Sequence, residues 1–185
     1  MKFKPTHREG GVLVELSPKE SQLPANVARP EFKLKKILVP VDFSDCSRKA
    51  LQYALPFARQ FNAKLVLLHV IEPFIPVPEM TAVNFDAIRK QTHQAAQEEI
   101  LALQKSIPAE VASEIVIREG SPHVEIALAT KQLGVDLIII STHGRTGLAH
   151  VFMGSTAERV VRHADCPVLT VREQEHEFVA TKTAA

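Results

Sequence analysis

The chain has 185 residues, which suits one domain of ordinary size with a substantial core and short extensions. Its 22 basic and 21 acidic side chains almost cancel, so no large electrostatic field favours nucleic acid or an anionic membrane surface. The longest apolar runs span only a few residues, far below the roughly 20 that a membrane-crossing helix needs. We therefore exclude membrane insertion and nucleic acid, and we expect small molecules or other proteins as partners.

The first 34 residues differ in character from the rest of the chain. Four prolines lie among scattered charges, at Pro5, Pro18, Pro24 and Pro30. One short apolar patch, Val12–Val14, is a candidate edge strand or a docking segment for a partner protein. The simpler interpretation is a flexible leader with one apolar segment that can bind another surface. We treat residues 1–34 as an N-terminal extension that is partly flexible.

The first strong element is the continuous apolar run Ile37–Val41, typical of a strand buried on both faces of a parallel sheet. Ser44 follows as a candidate N-cap of a helix whose apolar positions recur at helical spacing as far as Phe61. Because Pro56 lies inside this segment, we expect the helix to bend there or to be shorter than the pattern.

Two further apolar runs predict the next strands. Lys64–Ile71 predicts a second strand, followed by a proline-rich loop. An amphipathic stripe in a segment rich in Ala, Gln, Glu and Leu then predicts a long surface helix over Asp86–Lys105. Glu114–Ile117 predicts a third strand.

The third helix carries signals at both of its ends. Ser121 is a candidate N-cap, Pro122 suits the first helical position, and Gly134 is a typical helix end. The last apolar run, Pro167–Val171, predicts a final strand. The polar residues 173–185 that follow predict a flexible C-terminal tail.

Between the third predicted helix and the last predicted strand lies a segment that favours phosphate binding. The strand Leu137–Ile140 leads into the loop Ser141–Gly147, whose small residues let backbone N–H groups approach a ligand. Gly154 then precedes a predicted helix start, where unpaired N–H groups and a partial positive charge attract anions. Ser155 and Thr156 add hydroxyl donors.

The alternation of strands and helices predicts an open α/β sheet with right-handed crossovers. Ligands bind such sheets outside the carboxyl ends of the strands, where the strand order reverses. A reversal between the first and fourth strands would place Asp42 opposite the glycine loop. There its carboxylate would suit a ribose hydroxyl or a magnesium ion, or it would simply cap the following helix, and the spacing leaves these interpretations open.

The sequence lacks the other common nucleotide-binding motifs and the spacing of a zinc site. Neither the Walker pattern nor the dinucleotide fingerprint occurs in the sequence. No histidine pair has the tight spacing of a zinc motif, and His143 is better interpreted as a residue that orders the loop. Cys46 and Cys166 lie far apart, and the N-terminus lacks the apolar run of a secretory signal. We therefore expect a reducing, cytoplasmic location.

The chain resembles the universal stress protein family through three segments: Lys36–Ser44, Leu67–Val70 and Ser141–Val171. The resemblance covers residues 35–172. It implies an α/β fold similar to the adenine nucleotide alpha hydrolases, with an open five-stranded parallel sheet of order 3-2-1-4-5 and helices on both faces. It also implies a homodimer formed through the last strand, Pro167–Val171.

The resemblance further implies ATP, which some members of the family bind. Those members share the motif G-x-x-G, nine residues, then G and S or T. Here Gly144, the nine residues Arg145–Met153, Gly154 and Ser155 match the motif, whereas Ser141 stands in place of its first glycine. A serine there crowds the phosphates or the ribose, or it is accommodated because it is small and polar.

Position by position, the resemblance implies a nucleotide site. It puts Pro40, Val41 and Asp42 near the adenosine, Val70 against the adenine, and Ser141, Gly144, Gly147, Gly154, Ser155 and Thr156 around the ribose and phosphates. Arg145 reaches a phosphate or is an ordinary solvent-facing loop residue. Asp42 is the candidate contact for Mg²⁺.

Three functions are compatible with these features. In the first, ATP is a regulatory ligand of a homodimeric stress-response protein, and its occupancy rather than its turnover matters. The second is a slow ATPase or autophosphorylating protein, although the sequence offers no Walker lysine, catalytic base or second acidic metal ligand. The third is a nucleotide-free dimeric interaction module, which Ser141 favours and in which the N-terminal extension recruits a protein partner.

Overall fold

The structure is a computed structural model that describes residues 2–5, 12–15, 33–73, 84–144, 153–172 and 179. The chain divides into two compact units, residues 1–32 and 33–185. The smaller unit contains strands β1 (Lys2–Pro5) and β2 (Val12–Glu15), which pair antiparallel. The apolar patch Val12–Val14 therefore pairs with β1 in a two-stranded sheet. The predicted flexibility of residues 1–34 and 173–185 stays a prediction.

The larger unit contains five strands and four helices in its described residues. In chain order they are β3 (Lys36–Pro40), α1 (Asp45–Phe61), β4 (Lys64–Ile71), α2 (Phe85–Lys105), β5 (Ser113–Glu119), α3 (Pro122–Leu133), β6 (Leu137–Ser141), α4 (Ser155–His163) and β7 (Val168–Val171). The strands form one parallel sheet of order β5-β4-β3-β6-β7. This is the predicted order 3-2-1-4-5, which is confirmed.

The central strand β3 explains why its sequence is continuously apolar. Ile37, Leu38 and Val39 are all fully buried, because neighbouring residues of a strand face opposite sides of the sheet and helices cover both sides. Ile37 and Val39 pack in the core with residues of α1 and α2. Leu38 packs on the other face with residues of α3 and α4. The predicted helices on both faces are thus confirmed.

The helix ends follow their capping signals with one exception. Ser44 caps α1 through its side chain, which accepts from the N–H of Ser47 at 3.2 Å. Gly134 ends α3 in the left-handed conformation, with φ of 62°. Ser121 occupies the N-cap position of α3 but makes no side-chain cap bond, since its hydroxyl lies 3.0 Å from Nδ1 of His123 instead.

Pro56 does not shorten α1, which continues from Asp45 to Phe61. A proline in a helix removes the one hydrogen bond that its N–H would donate. The buried face formed by Ala50, Leu51 and Ala54 keeps the helix packed against the sheet in spite of that loss. Within the described ranges, no helix combines the length and the apolar character that would be needed to cross a membrane.

Candidate functional site

A cleft of about 430 Å³ opens at the carboxyl ends of β3, β4 and β6. It lies where the strand order reverses, since β3 pairs with β4 on one side and with β6 on the other. Its volume is in the usual range for small-molecule sites. Nine sequence-predicted site residues line it: Pro40, Val41, Asp42, Val70, Ser141, Gly144, Gly154, Ser155 and Thr156. The other two, Arg145 and Gly147, lie outside the described residues.

Asp42 follows β3 and faces both the helix and the glycine loop. Its Oδ1 accepts from the N–H of Ser44 at 3.1 Å and from the Ser44 hydroxyl at 2.6 Å. Its Oδ2 lies so close to Gly144 that a Cβ there would be 2.5 Å away. Asp42 therefore orders the residue that caps α1, while its second oxygen points to the loop that the sequence analysis places opposite it.

A hydrogen bond joins the start of α4 to the residue that follows β6. The N–H of Gly154 donates to the carbonyl of Thr142 at 2.7 Å, and a Cβ on Gly154 would lie only 3.0 Å from that oxygen. Gly154 is the N-cap of α4 and has no side chain to cap it. The first N–H groups of a helix have no partner within the helix, and Ser155 and Thr156 of this first turn line the cleft.

Ser141 is the last residue of β6, and it pairs with Val171 of β7. Among the described non-glycine residues, only Phe43 and Asn62 have positive φ. The backbone at Ser141 is therefore one that any residue adopts, and a glycine is not required there by conformation. Ser141 lines the cleft at the position where the motif has a glycine.

The charge of the cleft comes from few side chains. Its described lining includes two carboxylates, Asp42 and Glu72, and two imidazoles, His69 and His143, but neither lysine nor arginine. His143 Nδ1 lies 3.0 Å from the Thr142 hydroxyl, in agreement with its expected role in ordering the loop. Among the described residues, the helix N-terminus is the feature that would favour a phosphate here. No cluster of three metal-ligating side chains occurs in the described part of the chain.

Several lining residues were missed by the sequence analysis. They come from β4 and from the two helices that approach the cleft: His69, Ile71, Glu72, Thr92, Pro122 and Ile126. Thr92 lies in the middle of α2, and nothing in its sequence neighbourhood distinguishes it from other polar residues on an exposed helix face. Pro122 marked the start of α3, and that start lies at the same sheet edge as the start of α4. The position of Pro122 at a helix start was therefore the one sequence signal that could have identified a lining residue of this group.

A second cavity of about 300 Å³ shares Ile71, Glu72 and Thr92 with the cleft. Glu119 at its rim accepts a hydrogen bond from Arg89 at 2.7 Å. That bond is the main reason why the pKa of Glu119 lies below its usual value; burial opposes it, and His93 adds to the lowering. Glu119 therefore stays ionised, and the rim of this cavity keeps a charged pair.

Comparisons with known proteins extend these observations. Residues 33–172 match the model of the universal stress protein family. Universal stress protein MJ0531 from Methanocaldococcus jannaschii is 31% identical over 169 residues, which is 90% of this chain and 98% of the relative. The solved structure of universal stress protein UspA from Lactobacillus plantarum is 27% identical, with a TM-score of 0.69, and the match covers 77% of this chain and 100% of that one.

Two more distant structures of the same fold contain nucleotides. A universal stress protein family protein from Arabidopsis thaliana was solved with AMP bound; it is 24% identical, with a TM-score of 0.52 and coverage of 76% and 92%. A universal stress protein in complex with cAMP is 22% identical, with a TM-score of 0.56 and coverage of 76% and 98%. At these identities the likeness shows the shared fold.

Proposed function

The chain belongs to the universal stress protein family, and from this premise we propose that it is a stress-response protein that binds ATP with Mg²⁺ in the cleft between β3 and β6. We also propose that it acts as a cytoplasmic homodimer whose nucleotide occupancy regulates a protein partner. The functional domain spans residues 35–172, with residues 1–34 as an extension and 173–185 as a tail.

The start of α4 carries the proposal. Its N-cap is Gly154, which has no capping side chain, and the N–H groups and partial positive charge of a helix N-terminus suit the phosphates of a nucleotide. Ser155 and Thr156 contribute hydroxyl donors from the first turn. In this proposal Arg145 and Gly147 belong to the same phosphate loop.

The opposite wall of the cleft suits an adenosine. Val70 and Pro40 supply an apolar surface for the base, and Asp42 Oδ2 supplies an acceptor for a ribose hydroxyl. The relatives of the same fold that were solved with AMP and with cAMP support an adenine nucleotide as the ligand class. The nucleotide would then lie across the sheet edge with its phosphates at α4.

Magnesium is proposed because the described lining lacks cationic side chains. A bound triphosphate carries several negative charges, and one helix N-terminus offsets only about half a charge. Mg²⁺ is usually held by one or two carboxylates together with phosphate oxygens and waters. Asp42 is the candidate carboxylate, as the alternative to its contact with a ribose hydroxyl. In that case Asp42→Ala should weaken ATP binding more in the presence of Mg²⁺ than in its absence.

The nucleotide content of the purified protein tests the site. Protein prepared without added nucleotide is denatured, and the released small molecules are identified by chromatography and mass spectrometry. We expect stoichiometric ATP or ADP from the native protein and none from Gly154→Val, whose Cβ collides with the Thr142 carbonyl. Thermal unfolding of both proteins separates loss of the site from loss of the fold.

Calorimetry decides the case in which the native protein is empty. Titration with ATP and Mg²⁺ up to millimolar concentration should still give binding heat. Ser141→Gly should raise the affinity several-fold, since a glycine removes the hydroxymethyl group from the cleft wall. Absence of heat from both proteins would refute the ATP proposal.

A nucleotide-free interaction module is the second candidate, and the observation that favours it is that Ser141, which lines the cleft, replaces a glycine of the motif. In that case the dimer and the N-terminal extension would carry the function. Regulation by ATP requires that the nucleotide bind two states of the protein differently. Hydrogen exchange and partner affinity should therefore change with ATP under the first proposal and stay the same under the second.

A further inference from the structure

The turn between β3 and α1 contains an unusual backbone conformation. Phe43 has φ of 66°, in the left-handed region that bulky side chains rarely adopt. Such a conformation is strained and persists only where the surroundings over-determine it. Phe43 follows Asp42 directly, so the strained residue lies beside the carboxylate that faces the cleft.

His69 of β4 supplies contacts that hold this turn. Its Nδ1 lies 2.8 Å from the carbonyl oxygen of Val41. A carbonyl only accepts, so Nδ1 carries the proton and donates it. The same imidazole lies against the Phe43 ring, with centroids 4.4 Å apart and an interplanar angle of 33°. One side chain thus contacts the residues on both sides of Asp42.

The hydrogen bond between His69 and the Val41 carbonyl extends the pairing of β3 with β4 beyond the end of β3. The last described main-chain bond between the two strands at this end is donated by the N–H of Val41 to the carbonyl of Leu68, at 2.8 Å. The Val41 carbonyl then receives a side-chain donor from His69. The chain can therefore leave the sheet at Asp42 while the residue before it remains fixed to β4.

The position of the Asp42 carboxylate depends on this turn. Its Oδ1 accepts two hydrogen bonds from Ser44, and both span the turn that Phe43 makes. Its Oδ2 approaches Gly144 closely enough to exclude a side chain there. A rotation of the turn would therefore displace the carboxylate from the loop that it faces.

We propose that His69 is a positioning residue for the ligand of the cleft. It fixes the Val41 carbonyl and supports the left-handed Phe43, and it thereby holds Asp42 where a ribose hydroxyl can donate to it. The inference rests on the proposed nucleotide site for its effect on binding, whereas the effect on the turn is independent of any ligand.

Two variants separate the hydrogen bond from the ring. His69→Phe keeps an aromatic ring beside Phe43 and removes the donor. His69→Asn removes the ring and keeps an amide N–H two bonds beyond Cβ, where Nδ1 lies. His69→Gln is a second loss variant, because its amide lies one bond further from the backbone. His93→Phe on α2 is the matched control, since its contact is with Glu119 rather than with the turn.

The rate of amide hydrogen exchange in the absence of nucleotide reports directly on the stability of the turn. Ser44 N–H, which bonds to Asp42, should exchange at least tenfold faster in His69→Phe and His69→Gln than in the wild type. Exchange should return towards the wild-type rate in His69→Asn and stay unchanged in His93→Phe. If His69→Phe leaves Ser44 exchange unchanged, or if His69→Asn is no better than His69→Gln, His69 has no positioning role through this bond.

Calorimetry with ATP and Mg²⁺ measures how each substitution at His69 changes the affinity for ATP. We expect about five- to tenfold weaker affinity in the loss variants and recovery in His69→Asn, as for one net hydrogen bond. Unchanged affinity in His69→Phe would overturn the role in ligand positioning. If the wild type itself gives no heat, the nucleotide proposal fails, and the exchange measurements alone confirm or refute the role of His69 in the turn.

Discussion

Two glycines at the cleft are required by close approach rather than by backbone conformation. Gly144 and Gly154 have no positive φ, yet a Cβ at either would contact Asp42 Oδ2 or the Thr142 carbonyl too closely. Each glycine therefore lets two segments of the site meet. The carboxylate reaches the loop in one case, and α4 reaches β6 in the other.

Gly144→Ala should weaken ATP binding. A Cβ at this position would lie 2.5 Å from Asp42 Oδ2, so the carboxylate must move away from its place in the cleft. Loss of a hydrogen bond to a charged group costs about 1.5–3 kcal/mol, which corresponds to roughly a 10- to 150-fold rise in Kd. Isothermal titration with ATP and Mg²⁺ measures this change.

Gly134→Ala is the matched control. Gly134 has φ of 62°, and a Cβ at this position would have nothing within 4 Å, so alanine there meets only the strain of the left-handed backbone. It should lower the free energy of unfolding by about 1–2 kcal/mol and leave ATP affinity unchanged. Equal affinities for both alanine variants would contradict a role for the contact between Gly144 and Asp42.

At the residue scale, the sequence identified Asp42 but not its contacts. Ribose, magnesium and helix capping were all compatible with its spacing. In the structure one oxygen of the carboxylate accepts both bonds from Ser44, and the other lies beside Gly144. Such a division depends on how Phe43 turns the chain. A left-handed phenylalanine has no sequence signature, because the contacts that stabilise it come from the distant residue His69.

At the scale of elements, the start of α1 links stability to the site. The Ser44 hydroxyl accepts from the N–H of Ser47 and donates to Asp42 Oδ1 at 2.6 Å. The helix α2 has a comparable cap, in which Asn84 accepts from the N–H of Ala87 at 3.0 Å. Of these two caps, only the cap of α1 bonds to a residue that lines the cleft.

Ser44→Ala and Asn84→Ala should therefore differ in binding but not in stability. Each loses one N-cap, which costs about 1 kcal/mol, and chemical denaturation should show similar losses. Only Ser44→Ala removes a hydrogen bond from the Asp42 carboxylate, which keeps the bond from the Ser44 N–H, so only this variant should weaken ATP binding in a parallel titration. If both variants bind as the wild type does, the Ser44 hydroxyl does not support the site.

Helices and strands were largely predictable because their signals are local. Continuous apolar runs marked all five strands of the sheet, and capping residues marked the starts of α1 and α3. The sequence underestimated β5, which extends over Ser113–Glu119, because its outer residues are polar and it lies at the edge of the sheet. The strand β1 was missed because Lys2–Pro5 becomes a strand only by pairing with β2.

At the scale of the whole molecule, the sheet order places the site. Alternation of strands and helices predicted a parallel sheet, but the order itself came from the resemblance to a family, because several orders satisfy the same alternation. Once β3 lies between β4 and β6, residues 40–42 and 141–144 meet at one edge. The contributions of Thr92 and Ile126 were not predictable, since they depend on how α2 and α3 pack over the sheet.

The same order leaves β7 at one end of the sheet, where the proposed homodimer forms. Ile138 N–H donates to the Pro167 carbonyl at 3.0 Å, and Thr142 N–H to the Val171 carbonyl at 2.8 Å. The odd-numbered residues of the last strand thus direct their main-chain groups to β6. Since these directions alternate along a strand, Val168 and Thr170 direct theirs to the opposite side, where a second copy would pair.

Thr170→Pro should consequently convert the dimer to a monomer and leave the fold intact. Proline removes an N–H that faces away from β6, so the ladder between β6 and β7 keeps its bonds. Leu169→Pro is the matched control, because it removes an N–H that faces β6 and should lower the free energy of unfolding markedly. Sedimentation velocity at micromolar concentration, with thermal unfolding of each variant, measures both effects. A wild type that sediments as a monomer, or a Thr170→Pro variant that dimerises as tightly as the wild type, would refute pairing through β7, and the proposed regulation would then need another interface.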